Sequence, residues 1–275
     1  MNTLKKGLLL LTVTLSAAAI APIAGCSSTT SAGAVGADRK QLLLVSSQEI
    51  LQLSNQAYLE TINAARAKGK LDTNYAQVQR LRRIANHLIP QTAVLRPDAT
   101  SWDWQVHTIT DNQINAYVMP GGKIIFYTGI IERLNLTDAE IAAIMGHEMA
   151  HALREHSREK VSHGVATSSA IDIAASALGL SSGQAQLVGL AGDLGLNLPH
   201  SRTQEAEADR IGLELMARAG YNPNAAISLW QKMQASGGGS VPQFLSTHPS
   251  SANRISNLQA LVPTVMPLYE AAPKR

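Results

Sequence analysis

The sequence has almost no cysteine: one residue in 275, Cys26. A single thiol cannot close an intramolecular disulfide, and it excludes a cysteine-rich zinc finger or an iron–sulfur cluster. Charge is sparse too, with 16% Asp, Glu, Lys and Arg and a formal net charge of +3. No dense Lys/Arg patch occurs, which argues against a nucleic-acid partner. Long apolar runs are missing from the body of the chain. Between 161 and 200 the only charges are Asp172 and Asp193, but Ser, Gln and Asp interrupt both halves. A membrane pass needs about 20 mainly apolar residues in a row. What remains is 45% hydrophobic, too apolar for a disordered chain and long enough for one sizeable core.

The N-terminus reads as a targeting segment. Lys5 and Lys6 precede an apolar stretch from Gly7 to Ala19, and Ile23-Ala24-Gly25-Cys26 resembles a lipobox. The expectation is a lipoprotein signal peptide over 1–25, diacylated Cys26, a flexible small-residue tether over 26–37 and a catalytic domain over 38–275. Without Lys5 and Lys6 the net charge falls from +3 to +1. Acyl chains would anchor the protein to a membrane without spanning it. Ser27, where an Asp would resemble an inner-membrane retention signal, favours the outer membrane with the domain facing the periplasm.

Apolar spacing predicts a helix from Asp38 to about Lys68 and a second from Thr73 to Leu88, ended by Pro90. Trp104–Ile109, Ala116–Met119 and Lys123–Tyr127 read as short strands, the last two joined by Pro120-Gly121-Gly122. Almost everything afterwards is helical. In 161–200 the expectation is a helical hairpin broken at Gly179–Gly183, packed over the site or against a partner. The fold class is α+β, in one mixed domain.

Thr137 and Glu140 form a capping box, so a helix should start at Asp138, with Ile141, Ile144 and Met145 as its buried stripe. On it lies His147-Glu148-Met149-Ala150-His151, an HExxH motif. Residues four apart lie only about 40° apart around a helix, so both imidazoles can reach one zinc ion, with Glu148 beside it to handle protons. With 8 His and 11 Glu in 275 residues, chance yields roughly 0.01 such patterns. A hydrolytic zinc needs a third protein ligand and an open position. The HExxHxxGxxH pattern is excluded, because Arg154 and Ser157 stand at its glycine and histidine positions. His156 would lie well round the helix and reads as surface; His163 falls past the expected helix end. Glu205 and Asp209, one turn apart on a later helix, offer a metal ligand and an acceptor for a ligand histidine's N–H.

These segments resemble the gluzincins of peptidase family M48, the HtpX, Oma and CAAX-protease group, in its periplasmic lipoprotein branch. HEMAH and SRTQEAEAD carry the resemblance, with NAYVMPGGKIIFYTGI before them and THPSSANRI after them. It implies a mostly helical zincin domain with a small sheet beside the HExxH helix. It implies one zinc per chain on His147, His151 and Glu205, with Glu148 as general base. Asn115 and Ala116 would open an edge strand, running to Met119, that pairs with an extended substrate backbone. The expected activity is endoproteolysis of unfolded or misassembled envelope proteins. The alternative is a chaperone-like outer-membrane assembly lipoprotein with suppressed activity, working with outer-membrane assembly machinery.

His248 is the remaining candidate. Pro249 after it favours extended backbone, projecting the side chain from a loop that follows the glycine-rich stretch Gln234–Ser240. Near zinc it could donate to the developing oxyanion or fill the open position as a gate. The resemblance points to the gate.

Overall fold

A computed structural model of the chain describes residues 26–177, 199–236, 242–249 and 253–275. Its first element corrects an expectation. The segment 26–37 is not a free tether: β1 (Cys26–Ser27) pairs antiparallel with β2 (Gln41–Leu42), and Val35 and Ala37 join the core. The fastener is Arg154, wholly buried, which donates to Ser28 Oγ at 2.9 Å, Thr30 Oγ1 at 3.0 Å and the Arg39 carbonyl at 2.7 Å. The small polar residues of this stretch serve as acceptors for a buried guanidinium.

Helix α1 (Ser47–Ala67) begins later than the apolar spacing predicts, because Ser46 and Glu49 cap each other reciprocally and set the start. Helix α2 (Tyr75–Leu88) runs as expected from its Asn74 cap, and Pro90 lies in the 3₁₀ turns Ile89–Val94 that follow it. The strands β3 (Gln105–Ile109), β4 (Ala116–Met119) and β5 (Lys123–Tyr127) form one sheet in the order β3-β5-β4. β3 runs parallel to β5, and β4 antiparallel to it with Val118 opposite Ile124. Gly121 and Gly122 make the tight turn between β4 and β5 with φ of +84° and +87°, which glycine adopts freely. Among the described residues the outer edge of β4 has no strand partner.

After α3 (Thr128–Arg133) comes α4 (Asp138–Leu153), starting at the expected residue with the Thr137–Glu140 capping box in place. The predicted stripe Ile141, Ile144 and Met145 is buried, but so is every residue from Glu140 to Leu153. A helix buried all round lies inside the core. Around it pack β4, α2, α6 (Arg202–Arg218) and α7 (Asn224–Ala235). The α4–α6 crossing is close because Gly146 meets Gly212: a Cβ on Gly212 would lie 2.7 Å from the His147 backbone nitrogen. α8 (Gln243–Thr247) and α9 (Arg254–Ala271) complete the described chain.

Between α4 and α5 (His156–Ala177) the chain breaks at Arg154 and Glu155, where Glu155 takes a positive φ of +47°. His163 therefore lies inside a helix, not past one. The hairpin break expected at 179–183 and its second half up to 198 lie outside the described residues. No helix among the described residues is long and apolar enough to cross a membrane.

Candidate metal centre

His147 and His151 project from the same face of α4 with their Nε2 atoms 3.1 Å apart. Glu205 arrives one turn into α6, whose start is fixed by the Ser201–Gln204 capping box. Its Oε2 lies 3.6 Å from His147 Nε2 and its Oε1 3.4 Å from His151 Nε2. His248 follows α8 and brings a fourth donor, and one atom from each of the four lies within 4.8 Å of the others. Two donors at about 2.0–2.1 Å from a tetrahedral ion are separated by about 3.3 Å, so the spacing suits such an ion. Glu205 Oε1, Glu148 Oε1 and His248 Nε2 are also buried with no hydrogen-bond partner. Orphaned buried acceptors are costly unless a cation joins them. The residues fit a divalent metal.

Asp209 does what its position one turn after Glu205 suggests: its Oδ1 lies 3.0 Å from His147 Nδ1 and accepts that N–H, leaving Nε2 free to ligate. The same carboxylate is held by a residue that sequence reasoning did not single out. Arg254, at the start of α9, donates to Asp209 Oδ1 at 2.5 Å and to Glu205 Oε2 at 2.9 Å. Its guanidinium lies 3.5 Å from the Trp230 ring centroid. Burial alone would raise the Asp209 pKa, but Arg254 and the His147 hydrogen bond outweigh it and hold the carboxyl below its ordinary range.

His156 corrects the surface reading. It is fully buried, with Nδ1 2.8 Å from His151 Nδ1 and Nε2 3.0 Å from Glu207 Oε2. The reason is the turn at Glu155: in a continuous helix His156 would point away, but here it opens a new helix and swings back. The carboxylate it meets, Glu207, lies in the SRTQEAEAD segment but carried no expected role.

Burial dominates the electrostatics of the site. Burial, reinforced by the nearby Glu205 charge, pushes the Glu148 pKa well above the carboxylate range. Burial takes Glu205 to about 8, only partly offset by Arg254. Burial lowers His147 to about 4 against the pull of Asp209. A bound cation favours both ionised carboxylates and neutral imidazoles.

His248 sits on a non-helical backbone as expected, but buried. Its Nδ1–H donates to the Phe244 carbonyl at 3.1 Å, its ring stacks on Phe244, and its Nε2 lies 3.2 Å from Glu148 Oε1 without hydrogen-bond alignment. The α8 turn is pinned to the segment leading into β4 by Phe244 N–H donating to the Ile114 carbonyl at 3.0 Å. The ring of His200, also unanticipated, lies over His151 at 3.8 Å between centroids. A groove runs past these groups, walled by Asn115, Ala116 and the rest of β4 on one side and by Ile50 and Leu53 of α1 on the other.

The sequence profile of Peptidase family M48 matches residues 75–262, which carry every residue of this centre. The chain belongs to peptidase family M48. It carries that family's metallopeptidase domain, an α+β fold with a divalent-metal site, and the His147, His151, Glu205 and His248 group could hold the ion. Among its M48 relatives, Metalloprotease LoiP of Escherichia coli is 30% identical over 241 residues, 86% of this chain and 90% of LoiP. Mitochondrial metalloendopeptidase OMA1 of Schizosaccharomyces pombe is 43% identical over 162 residues, 58% of this chain and 47% of its own length. The Bos taurus mitochondrial metalloendopeptidase OMA1 is 31% identical over 247 residues, 84% of this chain and 46% of its own length. The chain thus spans about half the length of these OMA1 relatives.

Proposed function

We propose that this protein is a zinc-dependent endopeptidase, anchored through Cys26 as an outer-membrane lipoprotein facing the periplasm, that cleaves misfolded or misassembled envelope proteins. One observation carries the catalytic reading: Glu148 and the three ligand candidates His147, His151 and Glu205 converge at the edge of β4 that is unpaired among the described residues. Two imidazoles and one carboxylate are a common donor set for catalytic zinc. Bound there, the ion would supply a Lewis acid that polarises a carbonyl oxygen and acidifies water.

The chain's own residues supply the rest. The β4 edge offers main-chain hydrogen bonds to an extended peptide, which recognises unfolded chain with little demand on its sequence. Glu148, buried beside the cluster, takes a proton at its carboxylate from the attacking water and delivers it to the leaving amine. Burial raises the proton affinity of Glu148 above that of an ordinary carboxylate, which strengthens it as the accepting base.

His248 reads as a gate. With Nδ1–H committed to the Phe244 carbonyl, its Nε2 offers a lone pair and not a proton. That favours a fourth ligand over an oxyanion donor, which would need a buried imidazolium that desolvation opposes. Exposed Cys26 is open to lipidation, and the packing of residues after it would hold the domain close to the bilayer.

The test is Glu148→Gln in purified protein, reading zinc content and cleavage of an unfolded protein substrate together. About one zinc per chain retained with cleavage lost supports the proposal. Undiminished cleavage removes Glu148 from the chemistry, and a wild type that binds no zinc overturns the metal assignment.

A further inference from the structure

We propose that Glu207 and His156 act as a positioning relay: they fix the proton of His151 on Nδ1 and so turn its Nε2 lone pair toward the metal. The inference rests on reading His147, His151 and Glu205 as the ligands. It follows from who can donate to whom.

His151 Nδ1 and His156 Nδ1 face each other at 2.8 Å. Two lone pairs or two N–H groups at that distance repel, so a single proton lies between them. Which ring owns it is decided at the far side of His156, where Nε2 lies 3.0 Å from Glu207 Oε2. An ionised carboxylate only accepts, so His156 carries its hydrogen on Nε2. A neutral His156 then has a bare Nδ1, and the shared proton belongs to His151. The remaining nitrogen of His151, Nε2, is therefore bare, and it is the atom 3.1 Å from His147 Nε2 and 3.4 Å from Glu205 Oε1.

Glu207 is held in the accepting state by cations on its other side. Arg39 Nε lies 2.8 Å from Oε1 and its Nη2 3.0 Å from Oε2, while Arg154 Nη2 lies 3.3 Å from Oε1. The His156 ring is fully buried, which favours its neutral form and keeps water from replacing either partner. The two ligand histidines are thus oriented by different devices. His147 meets Asp209 directly, whereas His151 reaches its carboxylate through an intervening imidazole.

The decisive variant is Glu207→Gln. Oε1 faces two arginine donors, Arg39 Nε and Arg154 Nη2, whereas Oε2 faces one, Arg39 Nη2. The amide oxygen therefore takes the Oε1 place and the amide NH2 turns toward His156 Nε2. His156 must then accept there and donate from Nδ1, which forces the His151 proton onto Nε2. Long-range ¹H–¹⁵N NMR of histidine-labelled, metal-free protein reads the tautomer, and competition with a chromogenic chelator reads Zn²⁺ affinity. The expected result is a Nδ1–H His151 in the wild type, a Nε2–H His151 in Glu207→Gln, and a loss of about 10–100-fold in Zn²⁺ affinity. His156→Phe, which removes the relay and leaves Glu207 paired with its arginines, should lose affinity similarly. A wild-type His151 protonated at Nε2, or affinities of both relay variants within about twofold of wild type, would overturn the relay. If the wild type binds no Zn²⁺, the ligand assignment fails instead, and the NMR result still decides the relay.

Discussion

Arg254 lies 2.9 Å from Glu205, so this candidate ligand is already paired with a buried cation that also holds Asp209. The guanidinium offsets the burial of both carboxyl groups and fixes the orientation of Glu205. Removing one member of a buried pair leaves its partner uncompensated, at a cost of about 3–5 kcal/mol. Arg254→Met should therefore lower the melting temperature of the metal-free protein sharply. Saturating Zn²⁺ should restore much of the loss, because the ion supplies the missing positive charge. Equal melting curves for variant and wild type without metal would show that the bridge contributes nothing.

The gate reading of His248 makes a directional prediction. His248→Ala should raise basal proteolysis while leaving zinc content near one per chain. An oxyanion role predicts the opposite, a fall in turnover at unchanged zinc. Activity and zinc content both equal to wild type would leave His248 as a loop anchor through Phe244.

Gly212 is a packing prediction with a functional consequence. A Cβ there would lie 2.7 Å from the His147 backbone nitrogen and 2.9 Å from the Gly146 carbonyl carbon, so α6 must move away from α4. Gly212→Ala should cost about 1–3 kcal/mol through overpacking. Since α6 also carries Glu205, zinc affinity should fall with it. Full zinc affinity in a destabilised variant would separate the crossing from the site.

Acid should unfold the metal-free protein in a defined window. Burial pushes the Glu207 pKa up, but its His156 hydrogen bond and the two arginines outweigh that and bring it down to about 2. A depressed carboxyl contributes its full stability above the ordinary value of about 4.5, where both states are ionised, and loses it as pH falls toward 2. His147, lowered by burial to about 4, adds a loss in the same direction that starts below about 6.5. Glu205, raised to about 8, works the other way, its contribution complete below about 4.5 and lost as pH rises through 8. The decline in urea midpoints should therefore be clearest below about pH 4.5. Glu207→Gln should flatten the lower part of that decline, and an unchanged slope would remove Glu207 from it.

Several features were legible in the sequence because their physics is local. The histidines of HExxH share a face by helical periodicity alone, and Thr137 with Glu140 placed the start of α4 at the right residue. Alternating apolar residues around Pro120-Gly121-Gly122 located β4 and β5, and the one-turn spacing of Glu205 and Asp209 anticipated a ligand candidate with its partner. The late start of α1 was equally local, written in Ser46 and Glu49, but apolar spacing masked it.

What only the tertiary structure decided depends on contacts between residues far apart in the chain. His156 turned inward because Glu155 adopts a positive φ, a conformation that no glycine announces. The segment 26–37 was ordered by Arg154, more than 100 positions away, whose guanidinium must find acceptors once buried. Arg254 reached the centre because α9 packs against α6 and Trp230 offers its face, neither of which leaves a periodic mark. Local rules act over one or two helical turns, so the sequence by itself determined the ligand candidates and their helices. The charges and protons surrounding those ligands come from satisfying buried polar groups wherever the folded chain brings partners within about 3 Å, and that is a property of the whole packing.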